Sequence, residues 1–115
     1  MIGAHFLGDY PWQAGPIGVE KNLNSKSELQ KQVPWGYWLT AHAYLHGILV
    51  SLVSVYFGGP WWIGIFEFLI HWFVDYYKCK YNNSILSDQA IHIICKLIWS
   101  IFIILYLIYV KHTII

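Results

Sequence analysis

The chain has 115 residues, a length that allows one domain. Hydrophobic residues make up 57% and charged residues only 11%, against roughly 25% charged in an average soluble domain, so we expect an integral membrane protein. The formal net charge is +1 and every basic residue is a lysine, a pattern that excludes a nucleic-acid partner.

The first apolar segment is too short to cross a membrane, because a span needs about 20 residues. We predict a helix at about residues 2–13 that either enters one leaflet or lies at the membrane surface. Residues 14–33 form the one polar stretch of this region, and they predict a loop with a short surface helix near residues 25–32.

Three longer apolar segments are each predicted to cross the membrane. They lie at about residues 34–57, 61–77 and 88–110. Pro34 suits a helix start, the turn at residues 58–60 separates the first two spans, and Ser87 is the expected cap of the third. The sequence thus predicts one all-α integral membrane domain, residues 1–115, with three transmembrane helices and a short N-terminal half-membrane or interfacial helix.

The lysines set the predicted orientation. The loops at residues 14–33 and 78–87 lie on one side, because two spans separate them. They hold Lys21, Lys26, Lys31, Lys78 and Lys80, whereas the other side holds Lys111. The positive-inside rule places the lysine-rich loops in the cytoplasm. We therefore predict a multi-pass protein of the inner or cytoplasmic membrane, with the lipid bilayer as its partner.

Ionisable residues recur within the apolar segments at a spacing of four. Glu67, His71 and Asp75 fall on one stripe of a helix. The same spacing gives the pairs His5/Asp9, His42/His46 and Asp88/His92. Ionisable groups inside a bilayer cost several kcal/mol each unless they are paired, hydrated or bound to metal. The repeated spacing therefore predicts a functional site.

Counted in depth along the helices, these pairs fall into shared layers within the cytoplasmic leaflet, as the ligands of a metal site in a helical bundle do. The predicted ligands are His5, Asp9, His42, His46, His71, Asp75, Asp88 and His92. Nitrogen and oxygen donors without thiolate favour Zn²⁺, with Mn²⁺ or Fe²⁺ as alternatives. The set exceeds the needs of one tetrahedral ion, so either two ions bind or some residues orient the ligands. A metal-free polar network, a proton path and chance packing are the alternatives.

A deeper layer contains Glu67 and Lys96. Both lie about 13–15 Å along their helices from the loop that joins the second and third spans. Because each charge would be costly alone in a bilayer, we predict that the two side chains approach each other.

The polar residues also follow an ordered pattern along the chain. It reads His5-x3-Asp9-x3-Gln13, Lys21, a helical histidine, His71-x3-Asp75-x2-Lys78 and Asp88-Gln89-x2-His92. This pattern resembles a family of small integral membrane proteins of bacteria and phages whose function is unknown, and the resemblance covers most of the chain. More loosely, the helical His/Asp layout looks like that of membrane-bound metal-dependent hydrolases. That likeness is an analogy of layout.

One predicted function is a metal-dependent hydrolase that acts on a lipid or phosphate-bearing substrate at the cytoplasmic leaflet. The metal would lower the pKa of a bound water, and Asp75 or Glu67 would be the catalytic general base. Lysines at the interface would hold a phosphate or head group, and glutamines would orient the substrate or the water. The predicted substrate-binding residues are Gln13, Lys21, Lys78 and Gln89.

Two other functions stay open, so the sequence does not decide that the protein is an enzyme. In an oligomeric transporter or proton-conducting protein, His46, Glu67 and Lys96 would extend the polar path toward the far side. The outer halves of the spans are apolar, and three helices leave little room for a transport pathway between them. This alternative therefore requires a homo-oligomer. In a non-catalytic bacterial or phage membrane partner, the metal would serve structure only.

Overall fold

The computed structural model describes residues 1–10 and 15–114, and it confirms the all-α prediction. Its helices in chain order are α1 (Ile2–Asp9), α2 (Pro16–Glu20), α3 (Glu28–Gln32), α4 (Trp35–Tyr56), α5 (Ile63–Tyr81) and α6 (Ile85–Ile114). Two of them, α4 and α6, are long and apolar enough to cross a membrane. α5 has a comparable length of 19 residues, but it carries the charged residues of the predicted site.

The N-terminal helix α1 packs into the bundle against α4 and α6. It is about 12 Å long at 1.5 Å per residue. His5 is fully buried, and Met1 packs against an apolar cluster that includes Val50. This packing makes α1 part of the helix bundle, and its predicted placement in one leaflet or at the membrane surface stays a prediction. The predicted end of this helix, residues 11–13, lies outside the described residues.

The polar segment before α4 is held in place by side-chain hydrogen bonds. Ser27 caps α3 by accepting a hydrogen bond from the backbone N–H of Gln30 at 3.1 Å. The Gln30 amide donates to the Glu20 carbonyl at 2.8 Å, which ties α3 to α2. The Asn24 amide donates to the Cys79 carbonyl at 2.6 Å. The segment predicted to be mostly loop is thus anchored to the end of α5.

The turn between α5 and α6 differs from the prediction by about one helical turn on each side. α5 continues to Tyr81 and ends where Asn82 adopts the left-handed conformation, with φ 52°. α6 begins at Ile85, because the hydroxyl of Ser84 accepts the backbone N–H of Ser87 at 3.2 Å. The cap is Ser84, so the expectation that Ser87 caps this helix was wrong.

α4 and α5 approach each other through small residues. A Cβ atom added to Gly47 would lie 2.7 Å from the carbonyl oxygen of Gly64. A Cβ atom added to Gly64 would overlap the carbonyl oxygen of Gly47 and the hydroxyl of Ser51. Only residues without a side chain allow two helix backbones to come this close. The contact brings the polar stripes of both helices together.

The bundle divides into two halves along its helices. The apolar half is centred on the buried cluster Val50, Ile63 and Ile103. The polar half contains the buried histidines and carboxylates of the predicted site. Large apolar side chains beside this cluster, such as Phe73 at 54% and Ile91 at 44% exposure, lie on the outside instead. The polar half of the molecule is therefore more polar inside than outside.

Candidate metal centre

The structure brings together all eight predicted ligands. α5 contributes buried His71 and Asp75 one turn apart, and α1, α4 and α6 contribute the other three pairs. Their donor atoms form three overlapping groups in which every atom lies within 4.8 Å of the others. The groups are Asp9/His42/His46/His71, His5/His71/His92 and Asp75/Asp88/His92.

The first group has the spacing of a metal coordination shell. The Nε2 atoms of His42 and His71 lie 3.1 Å apart. Asp9 Oδ1 lies 3.1 Å from His46 Nε2 and 3.6 Å from His42 Nε2. A tetrahedral ion with bonds of about 2.0–2.2 Å holds its ligand atoms about 3.3–3.6 Å apart. The donor atoms of these four side chains all lie within 4.8 Å of one another, so they could hold one divalent ion once the stacked rings of His46 and His71 turn toward it.

Asp75 lies between the first group and the third. Its Oδ1 is 3.1 Å from His92 Nε2, whose other carboxylate neighbour is Asp88 Oδ1 at 3.4 Å. Its Oδ2 is 3.4 Å from His42 Nε2. Asp75 thus directs one oxygen toward each group, and it could connect two ions only if its Oδ2 gave up the hydrogen bond that it accepts from Lys21 at 2.6 Å.

Several donor atoms in the centre are buried without a hydrogen bond. Among residues 1–10 and 15–114, these atoms include His5 Nδ1, His42 Nδ1 and Asp88 Oδ1. His46 Nε2 faces Asp9 Oδ1 at 3.1 Å but lacks the alignment of a hydrogen bond. Buried polar atoms normally have partners. Of these atoms, His46 Nε2 and Asp88 Oδ1 face other candidate ligands, and a metal ion would satisfy both.

Glu67 lies behind His71, on the side away from Asp75. The Nδ1 of His71 is 3.3 Å from Glu67 Oε1, which also accepts a hydrogen bond from the Lys96 ammonium. The Trp99 indole donates to Glu67 Oε2 at 2.8 Å. The predicted approach of Glu67 to Lys96 is confirmed. With both oxygens engaged, Glu67 has the position of a carboxylate that orients a ligand histidine.

Trp99 is a site residue that sequence reasoning missed. A tryptophan in an apolar helix is usually an interfacial anchor, and its indole gives no sign of a buried partner. The only available signal was its spacing of three from Lys96, which places both on one face of α6.

Both predicted substrate-binding lysines contact carboxylates of the candidate metal centre. The Lys21 ammonium donates to Asp75 Oδ2 at 2.6 Å, and the Lys78 ammonium donates to Asp88 Oδ2 at 2.6 Å. Each lysine thus forms an ion pair with a carboxylate of the cluster.

Gln89 connects the pair on α1 to α6. Its amide donates to Asp9 Oδ2 at 2.9 Å, and its Oε1 lies 3.2 Å from His5 Nε2. His5 Nε2 is also 3.3 Å from Asp9 Oδ2. Gln89 thus fixes the geometry of two candidate ligands. The fourth predicted substrate-binding residue, Gln13, lies outside the described residues.

A model of the family described as "protein of unknown function (DUF3307)" matches residues 1–115. The chain belongs to this family. No curated protein and no solved structure matches it.

The donor set in this member of the family limits the metals that it suits. It combines imidazole nitrogen with carboxylate oxygen, and both cysteines, Cys79 and Cys95, lie outside the three groups. Such a set suits Zn²⁺, Mn²⁺ or Fe²⁺ better than soft metals. The residues therefore suit a divalent metal centre by donor type and by the grouping of their donor atoms within 4.8 Å.

Proposed function

We propose that the protein spans the membrane three times, through α4, α5 and α6, with the lysine-rich loops in the cytoplasm. The distribution of side chains on α5 supports its inclusion. Glu67, His71 and Asp75 are buried on its inner face, whereas Phe66 and Phe73 are at least half exposed on the outside. A bilayer favours this arrangement, because lipid contacts the apolar face and the charges stay paired inside.

We further propose that the buried cluster binds one or two divalent ions, with Zn²⁺ favoured and Mn²⁺ or Fe²⁺ as alternatives. The observation that carries this proposal is the spacing of the ligand atoms. Histidine and aspartate donors from four helices approach to 3.1–3.6 Å, close to the edges of a tetrahedral coordination shell.

The function that this site supports best is metal-dependent hydrolysis of a lipid or phosphate-bearing substrate at the cytoplasmic leaflet. The metal would supply a water of lowered pKa. Asp75 would accept the proton of that water, a role that requires its Oδ2 to exchange the hydrogen bond from Lys21 for one from the water. Glu67 would act through His71 by holding its ring, and Lys21 and Lys78 would offer their charge to an anionic substrate.

The assignment to bacterial or phage membranes belongs to the same proposal, since it follows from the motif pattern. Two alternatives require other structural features. They are an oligomeric transporter and a non-catalytic partner with a structural metal. Transport requires a path beyond Lys96, where the described core is the apolar cluster around Ile103. A structural metal requires every coordination position to be filled by the protein.

The test is metal analysis by mass spectrometry of detergent-purified protein, together with hydrolysis of a panel of phospholipids and lipid phosphates. We expect stoichiometric metal in the unchanged protein and its loss, with loss of hydrolysis, in His71→Ala and Asp75→Ala. His112→Ala is the matched control, because this histidine is exposed near the end of α6.

The outcomes separate the proposals. If the unchanged protein carries no more metal than His71→Ala, the metal proposal fails. Stoichiometric metal without turnover on any substrate would leave a structural centre and overturn the hydrolase.

A further inference from the structure

A groove opens to the outside between the end of α5 and the start of α6. Its walls are apolar, with Phe73 at 54%, Tyr77 at 51% and Ile91 at 44% exposure. Its polar end contains Lys78 and Asp88. Aromatic and aliphatic walls that lead to a charged end match the shape of an amphiphile that lies at a membrane interface.

One carboxylate joins this groove to the metal centre. Asp88 is only 3% exposed, and its two oxygens face different neighbours. Oδ2 accepts the hydrogen bond from Lys78, and Oδ1 lies 3.4 Å from His92 Nε2 without a hydrogen bond. A group that entered the groove and approached Lys78 would therefore lie next to the Asp75/Asp88/His92 group.

Lys78 and Asp88 form a neutral pair, but the accessible charge at this end is the ammonium, because the Asp88 carboxylate is buried. The Lys78 side chain is 24% exposed, so its ammonium is accessible from the groove while it contacts Asp88. The groove also lies at the N-terminal turn of α6, where the helix dipole favours negative charge. A second groove, between α4 and α5, is lined by residues such as Ile48 and Trp61 and contains no charged residue among its lining. It offers apolar contact alone.

We propose that the groove between α5 and α6 binds a lipid through its phosphate head group, with the phosphate at Lys78 and the glycerol and acyl part along Phe73, Tyr77 and Ile91. This inference rests on the proposed function and specifies its substrate class. The lipid would enter sideways from the cytoplasmic leaflet and present its phosphate to the third ligand group.

The experiment measures binding of dioctanoyl phosphatidic acid to the metal-loaded full chain in detergent, by native mass spectrometry. Dioctanoylglycerol and glycerol 3-phosphate are the comparison ligands. The first has the acyl chains without the phosphate, and the second has the phosphate without the acyl chains. Two variants test the groove: Ile91→Trp fills it and Lys78→Met removes its charge. Ile48→Trp adds the same bulk to the uncharged groove and is the matched control.

We expect Lys78→Met to weaken binding of the phosphatidic acid by about tenfold or more, the effect of losing one charge-assisted hydrogen bond. Ile91→Trp should weaken it by a similar factor, because the indole would occupy the space of the acyl part. Ile48→Trp should bind as the unchanged protein does, and neither comparison ligand should bind well to any form. Ile91 faces outward, so its replacement should leave the fold intact; if that variant does not fold, Lys78→Met decides the result.

Unchanged binding in both groove variants would overturn the inference. Equal binding of glycerol 3-phosphate would replace the lipid with a soluble phosphate, and equal binding of dioctanoylglycerol would show apolar contact alone; either result contradicts the proposal. Metal content is measured in every form. Absence of metal from the unchanged protein would contradict the proposed metal centre. Selective loss of phosphatidic acid binding in the groove variants would still support lipid binding in the groove.

Discussion

The apolar and polar halves of the bundle hold the same helices together by different means. In the apolar half, α4 and α5 meet through Gly47 and Gly64, and the small cluster around Val50 fills the space beyond. In the polar half, buried charges pair across helices, as Glu67 does with Lys96. Apolar packing loses stability in proportion to the atoms removed, whereas removal of one charged partner leaves the other buried and unpaired. The polar half should therefore be much less tolerant of single changes.

The largest effect is expected from Lys96→Met. This change leaves the Glu67 carboxylate buried at 1% exposure without its cation, with only the weaker partners His71 and Trp99. Breaking a buried ion pair from one side typically costs about 3–5 kcal/mol. The free energy of unfolding, measured by titration of the detergent-solubilised protein with sodium dodecyl sulfate, should fall by about that amount.

The control for this prediction is the double variant Glu67→Leu with Lys96→Met. Because it removes both charges, it should be more stable than Lys96→Met alone. A double variant less stable than the single one would show that Glu67 has a more important partner than Lys96, and His71 with a bound metal would be the first candidate.

In the apolar half, Gly64→Ala should cost about 1–3 kcal/mol by overpacking. The new methyl group would overlap the carbonyl oxygen of Gly47, which is backbone and cannot turn aside. Gly36→Ala is the matched control, since no atom lies within 4 Å of the added Cβ. The same unfolding titration should give little loss, or a gain of up to about 1 kcal/mol from helix propensity, for that control. Equal losses in both variants would contradict a close contact between α4 and α5.

A smaller effect, on metal rather than on stability, is expected from Gln89→Leu. This change removes the contacts that orient Asp9 and His5 while leaving both candidate ligands in place. Loss of such an orienting partner typically lowers metal affinity by about 10–100-fold. Competition with a chelator would measure it. Unchanged affinity would indicate that the pair on α1 does not ligate the metal.

The smallest effect is expected at the turn between α5 and α6. Ser84→Ala removes the oxygen that caps α6 and should cost about 1 kcal/mol in the unfolding titration. Ser87→Ala is the comparison, because the Ser87 hydroxyl accepts no backbone N–H bond in the described structure. A larger loss in Ser87→Ala would restore the assignment of the cap that the sequence suggested.

Much of the fold was accessible from the sequence because its signals are local. Apolar length located the helices, and the spacing of four placed Glu67, His71 and Asp75 on one face. The depth of Glu67 and Lys96 below a shared loop was enough to predict their pairing. These inferences needed only the rise per residue of a helix.

The remaining features depend on contacts between distant segments. Nothing local in Lys21 shows that it contacts Asp75, because that contact requires α2 and the hydrogen bonds that anchor its segment to α5. Likewise, Gln89 contacts His5 across 84 positions of the chain. Asn82 ended α5 through a left-handed backbone conformation, which asparagine permits but does not dictate. Tertiary contacts decided each of these cases.

The docking of α1 has a consequence for the order in which the protein matures. α1 precedes α4 and α6 in the chain, yet it contributes His5 and Asp9 to a cluster that those later helices complete. During synthesis, Asp9 would find its group complete once α5 has emerged, because His42, His46 and His71 lie on α4 and α5. His5 would lack its partner His92 until α6 has packed. If the cluster binds metal as we propose, the first group could hold an ion before the two groups that include His92 exist, and a chain stopped before α6 would have only one of the three groups.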